Sequence, residues 1–139
     1  FFTVYGPAGR TDMFYFSATN NLCTGKTIKI FNYGNCKRDF TYIDDIVDAV
    51  QKTMNRTKGE LFEVYNVANC KKIHVHEIVD IIEKSLPFTV THEYIEGTPG
   101  DQMGVYGKND KIRKDLGWEA QVSFEEGMQR MICWALIEK

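Results

Sequence analysis

Apolar positions open the chain in short runs and then fall into helical rhythm. Phe1, Phe2, Val4 and Tyr5 make an almost wholly apolar run that stops at Gly6, Pro7 and Gly9, the pattern of a short buried strand closed by a turn. Met13, Phe14, Phe16, Ala18, Leu22 and Cys23 recur at helical spacing, and Gly25 is placed to end a helix over about 13–24. Residues 27–31, TIKIF, read as a β-branched strand stopped by Asn32 and Gly34, and 37–42, KRDFTY, as a second extended piece. Ile43, Ile46, Val47, Val50 and Met54 mark an amphipathic helix over 43–55, with Asp44, Asp45 and Asp48 near its start, where carboxylates suit the helix dipole.

The alternation then repeats. LFEVYNVA, 61–68, reads as a strand, and 73–86 as a helix with apolar Ile78, Val79, Ile81, Ile82 and Leu86, closed by Pro87. Residues 88–95 read as a strand and 96–104, EGTPGDQMG, as a glycine-rich loop. Asn109 is placed to cap a helix DKIRKDL that Gly117 ends, and Ser123 with Glu126 forms a capping box for a last helix bearing Met128, Met131, Ile132, Trp134 and Ala135. Strands and helices taking turns in this way predict an α/β fold.

Composition narrows the function classes. The 139 residues are the size of one domain, 26% are charged, and the formal net charge is −2. That balance offers neither a nucleic-acid surface nor an acidic tail, so no nucleic-acid partner is expected. No run approaches the twenty or so apolar residues of a membrane span, and nothing has the layout of a signal peptide, so a cytoplasmic protein without a membrane partner is expected. Cys23, Cys36, Cys70 and Cys133 are widely spaced and form no C-x-x-C pair, which predicts reduced structural thiols. Cys70, His74 and His76 match no common zinc spacing, and no metal site is expected.

Two stretches imitate catalytic motifs. Tyr33 to Lys37, YGNCK, has the Y-x-x-x-K spacing that brings a tyrosine beside a lysine on a helix face, but Asn32, Gly34 and Asn35 make a turn there. The glycines of 97–104 resemble a dinucleotide phosphate loop, yet the following VYGKND does not begin a helix whose amides could face a pyrophosphate. The richest segment is KIFNYGNCKRDFTYIDDI, where Arg38 stands close to Phe40 and Tyr42. A guanidinium fork suits phosphate oxygens and flat aromatic surfaces suit a base. An ordinary Arg38–Asp39 surface pair is the alternative reading of the same residues.

Five stretches in order, FFTVYGPAGRTDM, KIFNYGNCKRDFTYIDDIVDAV, FEVYNVA, TPGDQMGVYGKNDKIRKDLGW and SFEEGMQRMICWA, resemble the C-terminal half of an extended short-chain dehydrogenase/reductase. Within that superfamily they are most similar to NAD-dependent nucleotide-sugar epimerases of the UDP-glucuronate 4-epimerase type. The resemblance implies the C-terminal portion of a Rossmann-type fold, residues 1–12 holding its last strand and Y-G-P turn, followed by a smaller mixed α/β substrate-binding region over 13–139. It implies that Arg38 holds the diphosphate, that Lys29, Ile30 and Phe31 border the uracil largely through backbone, and that Asp101 accepts hydrogen bonds from the ribose hydroxyls. Thr3 matches a position that is asparagine in UDP-galactose epimerases and faces the sugar or its phosphate. Arg10 matches the arginine of G-R-P-D-M, either a clamp for a uronate carboxylate or a solvated loop arginine. Tyr5, Gly6 and Pro7 match the turn that closes over the nicotinamide end of the cofactor. Asp44 and Asp45 are assigned to the helix start. Thr11 replaces the family's proline, Thr98 replaces an arginine that uronate epimerases also tend to lack, and Lys108 stands where aspartate is common.

The implied reaction oxidises C4 of a UDP-sugar to a ketone, lets the sugar turn, and returns hydride to its other face, interconverting UDP-glucuronate and UDP-galacturonate. It needs NAD, a proton-transferring tyrosine and a lysine beside it. None of the three has a motif in this chain, so no residue is assigned a catalytic role. The cofactor is expected to be held mostly by residues upstream, and the chain to be the C-terminal part of a homodimeric enzyme paired through upstream helices. By itself it is expected to bind substrate without turning it over. A related dehydratase or decarboxylase, or a short nucleotide-sugar binding module without catalysis, would share most of these motifs.

Overall fold

A computed structural model describes residues 1–85, 91–97 and 103–137. The elements run β1 (Thr3–Tyr5), α1 (Phe14–Cys23), β2 (Ile28–Phe31), a short 3-10 turn (Asn32–Gly34), β3 (Lys37–Arg38), β4 (Phe40–Tyr42), α2 (Ile43–Met54), β5 (Ile73–His74), α3 (Val75–Ser85), β6 (His92–Ile95), β7 (Gly104–Val105), α4 (Asp110–Leu116) and α5 (Phe124–Ile137). The α/β class expected from the pattern is what forms. Parallel pairing dominates: β1 lies beside β4 with Thr3 opposite Phe40, β2 beside β6 with Ile30 opposite Tyr94, and β3 beside β7 with Arg38 opposite Val105. The β3–β5 pair is antiparallel.

Alternation along β1 divides the interior. Tyr5 faces an aromatic cluster with Tyr15, Phe40, Tyr42 and Phe124, backed by Met128 and Met131 of α5 and Ile78 and Ile82 of α3. Val4 faces the other way, onto Ile46, Ala49, Val67, Ile112 and Trp118. This is the period-two rule of a strand covered on both sides. The Tyr5 ring meets Tyr15, Phe40 and Tyr42 edge-on at centroid distances of 5.5–6.1 Å, the geometry that ring quadrupoles favour. Close approach of α5 is possible because position 127 is glycine; a Cβ there would run into the Tyr5 hydroxyl and the Tyr42 ring.

Several elements differ from the pattern reading. Residues 61–68 form no strand: Leu61, Phe62 and Val64 are exposed, and one backbone bond, Phe2 N–H to the Val67 carbonyl, ties the segment to β1, too little for a ladder. The helix expected from 73 starts at Val75, because Ile73 and His74 pair with β3. Met103 to Val105 do not all belong to a loop, since Gly104 and Val105 form β7. The strand expected over 88–95 is seen as His92–Ile95, and Leu86, Pro87 and 88–90 lie outside the described residues. On α2 the covered face carries Ile46 and Ala49, while Val47, Val50 and Met54 are exposed on a second apolar face. Cys36 is buried, whereas Cys70 and Cys133 are exposed thiols rather than core residues.

Two aspartates do more than their sequence positions advertise. Asp39 is 1% exposed and pairs with no arginine; its carboxylate accepts backbone N–H bonds from Asn69, Cys70 and Gly107, each at 3.0 Å. Asp45, read as a helix-start charge, is buried and accepts the N–H groups of Gln121 at 3.0 Å and Val122 at 3.1 Å, while its own carbonyl takes the Trp118 indole N–H at 2.9 Å. Asp39 ties the 69–70 and 107 segments to the β3–β4 junction, and Asp45 ties the 118–122 segment to the start of α2. Helix ends also resolve individually. Gly117 closes α4 in the left-handed conformation. Asn109 stands at the N-cap position of α4, but its side chain makes no capping bond and instead donates from Nδ2 to the Ala68 carbonyl. Ser123 Oγ accepts the Glu126 N–H at 3.1 Å, one half of the capping box, while the Glu126 carboxylate takes Arg130.

Candidate functional site

The sequence segment from Lys29 to Phe40 builds one wall of a cleft. In β2 the alternation buries Ile28 and Ile30 and turns Lys29 and Phe31 outward, so Ile30 can meet a ligand only through its backbone. The chain then reverses through Asn32, Tyr33 and Gly34 with φ of 51°, 52° and 77°, three successive left-handed residues. Two of these are not glycine, a conformation that costs about 1 kcal/mol or more per residue. The turn is braced from α3, where His76 Nε2 lies 3.1 Å from the Tyr33 carbonyl oxygen. It confirms that Tyr33 and Lys37 are not on a helix face.

Beyond the turn, Arg38 is half-buried on β3, with Nη1 donating to the Lys37 carbonyl at 2.9 Å. Arg38 lines a cleft of about 510 Å³ together with Phe31, Asn32, Phe40, Met13 and Phe14. A second recess of about 330 Å³ shares Asp12, Phe14 and Phe31 and adds Lys29 and Asn21. Two cations, one anion, aromatic faces and two amides are therefore gathered around these two recesses, the make-up of a pocket that binds a polar, ring-bearing small molecule.

The remaining candidates lie on β1 and in the turn at its carboxyl end, where ligands of open α/β sheets gather. Thr3 lies on β1 opposite Phe40, its N–H bonded to the Asp39 carbonyl. The Tyr5 phenol is inside the core, where its O–H reaches the Phe124 carbonyl at 3.3 Å and burial pushes its pKa well above the usual tyrosine value, so Tyr5 offers a ligand backbone and not its ring. Gly6 has φ of 149°, and a Cβ there would meet Ile43 Cγ2 at 2.7 Å; the turn into Pro7 requires glycine. Arg10 is exposed and held by Asp12, with Nε to Oδ1 at 3.1 Å and Nη2 to Oδ2 at 2.6 Å. That pairing lowers the Asp12 pKa and raises that of Arg10. Arg10 belongs to neither recess lining, whereas Asp12 belongs to both. Asp101 lies outside the described residues.

Phe31 thus shares one recess with Arg38 and the other with Lys29, while Thr3, Tyr5, Gly6, Pro7 and Arg10 lie on β1 or just after it. Sequence reasoning missed Asp12, Asn32 and Cys36 as lining groups. Asp12 was visible in GRTDM as a charge beside an arginine, but the left-handed turn that presents Asn32 has no sequence signal, since asparagine and tyrosine do not announce positive φ together.

Residues 2–131 match the family model described as GDP-mannose 4,6 dehydratase. The chain is 37% identical over its whole length to an uncharacterized protein of Methanocaldococcus jannaschii, covering 42% of it. It is 37% identical over 136 residues to a UDP-glucuronate 4-epimerase of Thermodesulfobacterium geofontis, covering 97% of this chain and 41% of that one. The fold superposes with a TM-score of 0.93, at 26% identity, on UDP-glucuronic acid 4-epimerase from Bacillus cereus in complex with UDP-glucuronic acid and NAD, over 99% of this chain and 44% of that structure. The chain therefore spans less than half the length of these relatives. Matched by the family model from residue 2 to residue 131, the chain belongs to the GDP-mannose 4,6 dehydratase family.

Proposed function

We propose that the chain is the substrate-binding part of an NAD-dependent UDP-sugar 4-epimerase, acting on UDP-glucuronate and UDP-galacturonate through a 4-keto sugar. The observation that carries this is the cleft in which Arg38 stands beside the outward edge of β2. There the guanidinium binds the diphosphate, while the backbone of Lys29 to Phe31 borders the uracil. Asp101 takes the ribose hydroxyls. Arg10 and Thr3 meet the C6 carboxylate; the Asp12 pair uses Nε and Nη2 of Arg10, which leaves Nη1 for a second carboxylate.

For NAD, this chain's fitting group is the turn at Gly6 and Pro7, with the Tyr5 backbone before it; Gly6 brings no side chain there, and a Cβ at that position would run into Ile43. Bound there, NAD supplies the hydride acceptor and donor for C4. The chain's own residues bind and orient: they hold the nucleotide fixed while the sugar reorients. The tyrosine, the lysine and most of the cofactor site belong to other residues of the enzyme, and residues 1–12 continue that cofactor half.

The test is an assay of the natural polypeptide that contains these residues, with UDP-glucuronate and NAD. Appearance of UDP-galacturonate supports the reading, and no turnover of UDP-glucuronate alongside epimerisation of UDP-glucose would replace the substrate. The family description favours a second reading, a nucleotide-sugar dehydratase. Release of water with a 4-keto-6-deoxy product would establish it instead.

A further inference from the structure

Of the described residues lining the 510 Å³ cleft, Arg38 is the one cation and Asp12 the one anion. A carboxylate in the wall of a site meant for an anionic ligand is repulsive unless the ligand also brings donors. Ionised aspartate only accepts hydrogen bonds, so the group it suits is a hydroxyl. Three observations make Asp12 more than a solvated loop charge. It lines both recesses, the one holding Arg38 and the one holding Lys29. It is gripped by Arg10 through two bonds, of 3.1 and 2.6 Å, which fix the plane of the carboxylate and use one lone pair on each oxygen. Each oxygen keeps a further acceptor site. Arg10 itself is in neither of these two linings, and its pairing holds the Asp12 carboxyl below the usual carboxylate range.

We infer that Asp12 is a substrate-positioning residue: it accepts hydrogen bonds from the hydroxyls of a sugar ring of the bound nucleotide while Arg38 holds the phosphates. The inference rests on the nucleotide-sugar reading and deepens it. A cation and an anion lining one cleft give the ligand a direction, phosphate toward Arg38 and hydroxylated ring toward Asp12. The ring is the hexose or the ribose, which present the same donor chemistry.

Calorimetric titration of the natural polypeptide containing these residues, as wild type, Asp12→Asn, Asp12→Ala and Arg10→Gln, with UDP and UDP-glucose as probes, tests this. Loss of a charged hydrogen-bond acceptor is expected to weaken UDP-glucose about tenfold in Asp12→Ala. Asp12→Asn is expected to fall between Asp12→Ala and wild type, because an amide oxygen still accepts one bond, and Arg10→Gln to weaken binding less than Asp12→Ala. If the hexose is the ring held, UDP itself is unaffected; if it is the ribose, UDP weakens equally. Unchanged affinity for both probes in Asp12→Ala, or tighter binding of both from relief of repulsion, overturns the inference while leaving the nucleotide reading intact. A wild type that binds neither probe overturns the nucleotide reading and this inference with it. Asp12 is exposed and bonded to Arg10 at the surface, so an unchanged melting temperature in all variants is expected and separates binding from folding.

Discussion

Replacing Asp39 should be among the most damaging single changes in the chain, and its amide should rescue little. The side chain is 1% exposed, with Oδ1 accepting from Asn69 N–H and Oδ2 from both Cys70 and Gly107 N–H, all at 3.0 Å. Asp39→Ala orphans three donors, one buried and two part-buried, at about 1–3 kcal/mol each, reduced where water reaches them, so a loss of about 4 kcal/mol is expected. Asp39→Asn has one oxygen for two acceptor positions. In either flip its NH2 faces at least one backbone N–H, donor against donor, and the charge assistance is lost, for a cost of about 3 kcal/mol. Set against the 5–15 kcal/mol typical of a domain, either change moves the urea midpoint far. Urea unfolding followed by circular dichroism measures it, with the slope checked for constancy. An Asp39→Asn variant within about 0.5 kcal/mol of wild type would refute the assignment of the carboxylate as a three-way anchor, since surface substitutions typically fall in that range.

Three further outcomes follow from the packing and the site. Gly127→Ala places a methyl against the Tyr5 hydroxyl and the Tyr42 ring, so overpacking outweighs the roughly 1 kcal/mol of helix propensity gained, and a lower melting temperature is expected; a higher one would show that α5 can move away. Tyr5 has its folded pKa raised by burial, so its share of stability is complete below pH 10 and lost as pH rises above it, by up to about 1.4 kcal/mol per pH unit. Tyr5→Phe should flatten the decline in stability between pH 10 and 11, with a residual slope from Tyr15, whose pKa burial also raises; an unchanged slope would place the alkaline sensitivity elsewhere. Gly6→Ala should lower both stability and NAD affinity of the whole enzyme, because φ of 149° and the contact with Ile43 leave no room for a Cβ; normal thermal melting would contradict the strained turn.

The helices were the most legible part of the fold, for a physical reason. Ile78, Val79 and Ile82 on α3, and Met128, Met131 and Ile132 on α5, repeat at the period of a helix face, and that face is the one buried. Strands were less legible, because a strand exists only with a partner. LFEVYNVA has the composition of one, yet a single backbone bond to Phe2 does not make a ladder, whereas Ile73–His74 and Gly104–Val105 became strands because β3 stood between them. Asp39 and Asp45 looked like surface charges, since nothing in RDF or DDI states that loops 30 and 76 residues away will bring their N–H groups. For the site, Phe31 and Arg38 were read from one continuous segment and are neighbours in the cleft. Asp12 escaped, because its role depends on which of Arg10 and Asp12 faces inward, a matter of rotamers and of the turn before α1.

Titration of the natural polypeptide with UDP, wild type against Arg38→Gln, tests the central claim most directly. Arg38 lines the cleft and is anchored through Nη1 to the Lys37 carbonyl, so its other donors are free of that bond and oriented. Charged hydrogen bonds to phosphate are worth about 1.5–3 kcal/mol, which makes the predicted loss of UDP affinity roughly tenfold to a hundredfold, with melting temperature unchanged. UDP affinity that stays at the wild-type value in Arg38→Gln would contradict the account.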